Sequence, residues 1–222
     1  MLRYVKGAAP KCLTSLSAAP QASWGDVHGD QRDEIRAGLI RDQAGLCAYC
    51  QRRIRVEGTM KIEHWAARSR GGPHFQWTNL LGTCDGIAPG APPRKYGEPP
   101  EPRFHCDTER GNATLFLHPV VGQNHDPRIY LSYKGDGRIT TADDRAAQDL
   151  RSLNLNAAHL RRGRQAALDA LKIRLDRIGW EPGTLAAELK AIKLKPGTLA
   201  PEHAEFLRYY LERWLHKQPG NA

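Results

Sequence analysis

Four of the five cysteines are spaced in a way that constrains the fold of this chain more than any other feature. Cys47 and Cys50 form a C-x2-C pair, and Cys84 and Cys106 follow at longer intervals. Zinc binds four thiolates in a tetrahedral site, and C-x2-C commonly supplies half of such a site. We therefore predict a four-cysteine structural zinc site that holds a small lobe together, with His105 as an alternative ligand for one cysteine.

The composition sets broader limits. The chain has 222 residues, 40% of them hydrophobic and 26% charged, and a formal net charge of +9. This balance indicates a globular protein with a polyanionic partner, of which nucleic acid is the first choice. No apolar run approaches the ~18 residues that span a bilayer, and the N-terminus lacks the apolar region of a signal peptide. We expect a cytoplasmic protein without a membrane partner, in which the odd cysteine, Cys12, is inert.

The pattern along the chain predicts an α+β fold in three segments. Residues 1–45 are expected to form a loose N-terminal arm and a helix, 46–117 the zinc-braced lobe, and 118–222 a hairpin followed by a mostly helical region. The individual elements are predicted from apolar periodicity, turn residues and caps. They are a helix over 31–44, a hairpin over 51–65, a second hairpin over 129–140, and helices near 142–151, 156–178, 184–194 and 201–216. Thr141 is the predicted cap of the helix near 142–151, and Asn156 is the predicted cap of the helix near 156–178.

An acid-histidine pair lies between the two halves of the cysteine set. Glu63 and His64 end a predicted strand, and Asp107 directly follows Cys106. Phosphodiester hydrolysis needs a base with a pKa near neutrality, which suits His64. It also needs a hard divalent ion such as Mg²⁺ or Mn²⁺, which prefers oxygen ligands, and Glu63 and Asp107 can supply them. The zinc would bring these segments together, so the pattern predicts a hydrolytic metal site.

Basic side chains accompany this candidate site. Arg68 and Arg70 follow His64 in a loop, where they either contact a nucleic-acid backbone or are solvated. Arg161, Arg162 and Arg164 start a predicted helix and allow the same two interpretations, a phosphate-binding patch or the polar face of a helix.

The chain also resembles a known family, the zinc-bearing HNH endonucleases of the ββα-metal superfamily. Within it, the chain is similar to the PtuB-type HNH subunits of Septu antiphage systems and to retron-associated HNH endonucleases, and the resemblance covers most of the chain. The residues that carry it are Cys47-x2-Cys50, Ile62-Glu-His64, Trp77-x-Asn79-Leu-Leu81, Cys84, His105-Cys-Asp-x-x-Arg-Gly111, Asp126-Pro127 and Leu153-Asn-Leu-Asn156. One departure is the 21-residue gap between Cys84 and Cys106, where many HNH proteins have C-x2-C.

The resemblance implies a role for each matching residue. His64 would be the general base, Glu63 and Asp107 the ligands of the catalytic ion, and Asn79 a brace for the loop that holds the base. Arg110 would contact phosphate, although a guanidinium is not equivalent to the lysine found in many members. The implied fold is a zinc-braced ββα-metal lobe.

The resemblance further implies a function and a partner. The chain would be a nuclease effector of phage defence that works with an ABC-type, PtuA-like ATPase. Its substrate would be DNA or an RNA such as tRNA, which these residues do not distinguish. The alternative is a zinc-containing module that binds nucleic acid or the partner without cutting a bond.

Overall fold

The N-terminal residues contribute to the core. The computed structural model describes residues 1–19, 21–55, 60–91 and 103–217. Met1, Leu2 and Tyr4 are at most 3% exposed. The Leu2 N–H donates to the Ala48 carbonyl at 2.9 Å, and Tyr4 exchanges backbone hydrogen bonds with the segment around Val120. The first residues of this arm therefore lie on the lobe, because their apolar side chains are buried against it.

Helices dominate the described residues. The helices longer than a single 3-10 turn are α1 (Lys11–Ser17), α2 (Gly29–Asp42), α3 (Cys106–Arg110), α4 (Pro127–Tyr130), α5 (Asp144–Ser152), α6 (Ala158–Ile178), α7 (Pro182–Ala191) and α8 (Ala204–His216). The helices predicted near 31–44, 142–151, 156–178, 184–194 and 201–216 are confirmed with small shifts at their ends.

The caps of α5 and α6 differ from the prediction. The Asp143 carboxylate, and not Thr141, accepts hydrogen bonds from the first N–H groups of α5. Asn156 does not cap α6, because its side-chain amide is paired with both backbone groups of Ile139 at 2.8 and 2.9 Å. The amide thus ties the start of α6 to the second hairpin.

Two small antiparallel sheets complete the fold. Strand β1 (Lys61–His64) pairs with β2 (Leu80–Thr83), and β3 (Ser132–Tyr133) pairs with β4 (Ile139–Thr140), which confirms the hairpin predicted near 129–140. The coarse prediction of an α+β fold is confirmed.

The hairpin predicted over 51–65 is wrong in its pairing. Arg53 bridges back to Leu46, because the Cys47–Cys50 turn closes on itself with a 2.8 Å hydrogen bond from the Cys47 N–H to the Arg52 carbonyl. β1 consequently pairs with a later segment, and Val56, part of the predicted first strand, lies outside the described residues.

The apolar core runs through all three predicted segments. One cluster of buried side chains includes Leu2, Leu80 and Leu211, so the predicted boundaries after residues 45 and 117 mark no break in packing. Gln51 attaches the start of α8 to the cysteine turn, because its carbonyl and its side chain accept hydrogen bonds from the N–H groups of His203 and Glu205. Among the described residues, no helix has the length and apolar character needed to cross a bilayer.

Candidate functional site

The four predicted zinc ligands lie together. The Sγ atoms of Cys47, Cys50, Cys84 and Cys106 are all within 4.8 Å of one another, and the four residues are buried. Two of the Sγ–Sγ distances are 3.8 Å, from Cys47 to Cys106, and 3.6 Å, from Cys50 to Cys84. With a Zn–S bond of about 2.3 Å, a tetrahedral site requires sulfur separations of about 3.8 Å. The residues fit a zinc ion, and the predicted grouping of the cysteines is confirmed.

Three separate elements bring the sulfurs together. Cys47 and Cys50 lie in the turn after α2, Cys84 follows β2, and Cys106 is the first residue of α3. Gln43, at the end of α2, joins the first two elements: its amide nitrogen donates to the carbonyls of Leu46 and Gly82, and its amide oxygen accepts from the Gly82 N–H. Nothing in the local pattern around Gln43 had indicated this role.

His105 lies at the edge of the cysteine cluster. Its Nδ1 is 3.2 Å from the sulfur of Cys106 and 3.8 Å from that of Cys84, while its Nε2 is 3.3 Å from the Arg52 guanidinium. A guanidinium only donates hydrogen bonds, so Nε2 accepts and Nδ1 carries the hydrogen. The Nδ1–H is therefore directed at the sulfurs, and with four cysteines in place His105 is suited to supporting the cluster as a donor.

A polar cleft lies beside the cysteine cluster. It has a volume of about 610 Å³ and contains Glu63 and His64 of β1 and Asp107 of α3. The residues that line it are Ile62, Glu63, His64, Ala67, Arg68, Ser69, His74, Asp107, Gly111 and Asn112. The structure thus brings together the acid-histidine pair and the later acid, which are far apart in sequence. This cleft is called the His64 cleft below.

The protonation of His64 follows from its contacts. Its Nε2 is 3.0 Å from the His74 carbonyl, which can only accept a hydrogen bond. The hydrogen is therefore on Nε2, and Nδ1 has a free lone pair. Burial lowers the pKa of His64 to about 4, so the ring is neutral at pH 7. The Trp24 ring packs edge-on against it with ring centroids 4.5 Å apart, which fixes its plane.

Glu63 and Asp107 are two acids in a poorly solvated place. Burial and the neighbouring Asp107 carboxylate raise the pKa of Glu63, whereas the Arg110 guanidinium opposes the shift and favours the ionised carboxylate. The Asp107 carboxylate is more accessible and lies 3.4 Å from the Lys61 ammonium group. Two carboxylates held this close favour a cation between them.

Arg110 does not have the exposed position expected of a phosphate contact. Its side chain is fully buried and ion-paired with Glu63. Its guanidinium also donates to the Tyr49 hydroxyl and to the carbonyls of His64, Trp65 and Ala113. These bonds use the donors that a phosphate would need, so the expected phosphate contact of Arg110 does not fit its placement.

Asn79 connects β2 to the loop after His64. Its Oδ1 accepts from the Ala66 N–H at 2.7 Å, and its Nδ2 donates to the carbonyls of Pro73, at 2.7 Å, and Ala66, at 3.3 Å. This loop carries the His74 carbonyl that holds His64. Asn79 is 4% exposed and does not line the cleft.

The two arginines of this loop have different surroundings. Arg68 is exposed and lines the His64 cleft. Arg70 is exposed as well, but its Nε donates to the Asn112 carbonyl at 2.9 Å, and it is not part of the lining. Arg68 is thus the better placed of the two to meet an anion in the cleft.

Two residues of this region were missed in the sequence. Trp24 contacts His64 from a 3-10 turn, and the Ser23-x-x-Asp26 capping box that forms this turn was a readable signal of local order. His74 received no role from the sequence, yet it lines the His64 cleft. No signal placed it there, because its position depends on the folding of the loop.

Comparison with known proteins assigns no family to this chain. No protein-family model matches it, and no curated protein matches it. The function is therefore inferred from the cysteine cluster, the His64 cleft and the resemblance described above.

Proposed function

We propose that this chain is a metal-dependent HNH-type endonuclease that hydrolyses phosphodiester bonds of nucleic acid. In this proposal β1, β2 and α3 are the two strands and the helix of a ββα-metal lobe, braced by zinc on the four cysteines. The observation that carries the proposal is the meeting of His64, Glu63 and Asp107 in one open, polar cleft.

His64 would act as the general base. Its Nδ1 has the lone pair needed to take a proton from water, and the ring is neutral at pH 7. Burial lowers its pKa to about 4, below the near-neutral value expected from the sequence, so His64 is a weaker base than a solvated histidine. Trp24 and the His74 carbonyl hold the ring in place, so little reorientation is needed during the reaction.

Glu63 and Asp107 would hold a divalent ion such as Mg²⁺ or Mn²⁺. Sites for Mg²⁺ commonly offer one or two carboxylates and leave the remaining positions to water and substrate phosphate. When bound, such an ion polarises the scissile phosphate and neutralises the charge that develops on it. Arg110 fixes the Glu63 carboxylate from the protein side, and Arg68 places a positive charge at the cleft.

A cleavage assay with purified protein tests the proposal. Plasmid DNA and total tRNA are incubated with wild type, His64→Ala and, as a control, His216→Ala, which removes an exposed histidine of α8. We expect cutting that requires added Mg²⁺ or Mn²⁺, is retained by the control, and falls by about 10²–10⁴-fold in His64→Ala. Zinc content should be equal in all three proteins, and His64→Ala, which melts at a lower temperature because it loses a buried ring, should be folded at the assay temperature. Undiminished cutting by His64→Ala would contradict the assigned role.

The biological role is proposed from the resemblance of the flanking segments. We propose that the chain is the effector of a Septu-like or retron-linked antiphage system and works with an ABC-type, PtuA-like ATPase. Cutting that appears only when such an ATPase and ATP are added would support this role. Failure of the two chains to co-purify would argue against it.

A zinc-containing binding module without catalysis is the second candidate. It is favoured by the Arg110–Glu63 ion pair, which already engages one oxygen of the carboxylate. A folded, zinc-loaded protein that binds nucleic acid but cuts neither DNA nor RNA, with and without the ATPase, would support this second function.

A further inference from the structure

A second open cleft lies next to the His64 cleft, with α3 between them. Its volume is about 970 Å³, and Glu109 of α3 is part of its lining, whereas Asp107 lines the His64 cleft. Residues two positions apart on a helix are separated by about 200° around its axis. The two clefts therefore open on opposite faces of α3. The second is called the arginine cleft below.

The lining of the arginine cleft is positively charged. Arg103, Arg151 and Arg162 line it together with His159, and Glu109 is the acidic residue of the lining. The three arginines come from three different parts of the chain. A cleft with an excess of positive charge concentrates anionic ligands.

Two of these arginines are available to a ligand. Arg151 is exposed, and its guanidinium donates a hydrogen bond to the neutral Gln148 side chain at 2.9 Å. Arg162 is exposed too, and within the described ranges neither arginine has an ion-pair partner.

The other arginines at the start of α6 have structural partners. Arg161 pairs with Asp136 at 3.0 Å. Arg164 is 1% exposed and donates to the carbonyls of Gly137 and Leu155. The structure thus divides the sequence cluster, and Arg162 is the member that faces the arginine cleft.

We propose that the arginine cleft binds backbone phosphates of the nucleic-acid strand whose scissile bond lies in the His64 cleft; this inference rests on the proposed nuclease function. A helix is about 10 Å wide, and a B-DNA strand advances about 3.4 Å per nucleotide. A strand that crosses α3 therefore reaches the arginine cleft about three nucleotides from the cut.

The chemistry of the cleft favours backbone over bases. A guanidinium offers paired N–H donors that match two phosphate oxygens. The amide side chains that could read base edges are engaged by the protein, since Asn154 donates to the Phe104 carbonyl and Asn156 is bound to Ile139. The cleft would consequently bind independently of sequence and add affinity rather than specificity.

Binding of a fluorescein-labelled DNA duplex, measured by fluorescence anisotropy, tests the inference. All proteins carry His64→Ala so that the probe stays intact. The test variant adds Arg151→Glu and Arg162→Glu. The matched control adds Lys172→Glu and Arg177→Glu, which make the same change in charge at the far end of α6. The measurement is repeated from about 50 to 200 mM salt, where phosphate contacts dominate the salt dependence.

We expect the dissociation constant of the test variant to rise by about tenfold or more, and the magnitude of the slope of log affinity against log salt to fall by about 1.8. The control should stay near the parent, and all three proteins should keep the same zinc content and melting temperature. Equal losses in test and control variants would overturn the inference, because the effect would then be one of net charge.

Other outcomes separate the inference from the function on which it rests. Unchanged binding by the test variant, with wild-type chain still cutting DNA, would overturn the arginine cleft and leave the nuclease in place. A parent protein that binds neither the DNA duplex nor tRNA, with and without the ATPase and ATP, would overturn both.

Discussion

The cysteine cluster and the His64 cleft are neighbours with opposite relations to water. The four cysteines are at most 3% exposed, and their sulfurs are within reach of one another. The cleft is open and polar, and its acids and histidine lie at its surface. The two sites share α3, which supplies Cys106 to the cluster and Asp107 to the cleft, while Cys84 follows the strand β2 that pairs with β1 of the cleft. Adjoining elements thus combine a closed site with an accessible one.

The change from one environment to the other occurs between two consecutive residues. Cys106 is fully buried in the cluster, whereas the next side chain, Asp107, is 23% exposed in the cleft. Cys106 has a left-handed backbone with φ of 55°, which is costly for a residue with a side chain. The hydrogen bond from its N–H to the Leu153 carbonyl, at 2.8 Å, helps to hold it. The cysteine cluster therefore positions Asp107 of the cleft directly, through the peptide bond between Cys106 and Asp107.

Loss of zinc should have the largest effect of the changes considered, because both the cysteine cluster and the His64 cleft should unfold. Cys50→Ser removes one of four ligands, and structural zinc contributes about 10 kcal/mol or more of folding free energy in small domains. This is comparable to the whole stability of a typical protein, about 5–15 kcal/mol. We therefore expect Cys50→Ser to lose both zinc and cooperative unfolding, as measured by elemental analysis and circular dichroism during a urea titration.

Two further variants sharpen this prediction. Cys12→Ser changes the cysteine that is absent from the cluster and should keep one zinc per chain. Cys106→Ser tests His105, whose Nδ1 is 3.2 Å from the lost sulfur. Retention of zinc by Cys106→Ser, but not by Cys106→Ser with His105→Ala, would show that the histidine can replace a cysteine. A folded Cys50→Ser protein without zinc would refute the structural role of the metal.

Arg110 should contribute to stability, as the buried cysteine cluster does, although its partner Glu63 lines the His64 cleft. Arg110→Ala leaves a buried carboxylate and several carbonyls without their donor, and breaking a buried ion pair costs about 3–5 kcal/mol. We expect a loss of this size in the free energy of unfolding, measured with urea in excess zinc. Arg128→Ala, which breaks a pair with Glu205 from a more exposed position, should cost less. A stable Arg110→Ala protein that only binds nucleic acid more weakly would instead support a phosphate contact.

The two regions were not equally readable from the sequence. The cysteine cluster followed from residue type and spacing, because one tetrahedral ion limits how four thiolates can be arranged. The long helix α6 followed from its apolar stripe, of which Leu160, Leu168, Leu171 and Leu175 are buried. The same period would have placed Arg164, four residues after Leu160, on the buried face.

Other features depend on contacts between distant residues and left little local signal. β1 pairs with β2 and not with the segment before it, because the cysteine turn diverts that segment. Arg110 resembles any basic residue at a helix end, and only the buried Glu63 explains its position. The contact of Trp24 with His64 likewise joins residues 40 positions apart.

Replacement of Asn79 should lower both the stability of the protein and the cleavage rate, because Asn79 holds the loop that positions His64. Asn79→Ala leaves the Ala66 N–H and the Pro73 carbonyl unpaired in the loop that holds His64. Each buried group that loses its partner costs about 1–3 kcal/mol. We expect a loss in unfolding free energy at the lower end of this range, together with a fall in the cleavage rate at saturating substrate. Asn124→Ala, at an exposed position, serves as the control. Normal cleavage by Asn79→Ala would show that the loop does not position the base.

The smallest effect we predict is a loss of stability in mild acid through His118, which lies in neither region. Burial, with a smaller effect of Lys6, lowers the pKa of His118 to about 4. Its Nδ1 accepts a hydrogen bond from the Val120 N–H at 3.1 Å, which protonation would break. In the unfolded chain the pKa is about 6.5, so the unfolded state binds the proton first. The stabilisation is complete above about pH 6.5 and is lost as the pH falls toward about 4, by on the order of 1 kcal/mol at pH 5.5.

His118→Asn isolates this contribution, because an asparagine keeps a hydrogen-bond acceptor but does not titrate. Urea unfolding at pH 7 and at pH 5.5, in excess zinc, gives the change in free energy for each protein. Acid weakens zinc binding equally in the wild type and in the variant. The difference between their losses in unfolding free energy is therefore the contribution of His118. We expect the wild type to lose more stability than the variant over this interval. Equal losses would show that His118 binds its proton alike in the folded and unfolded chains, and the acid sensitivity would then belong to the cysteine cluster or to the other buried histidines, His64 among them.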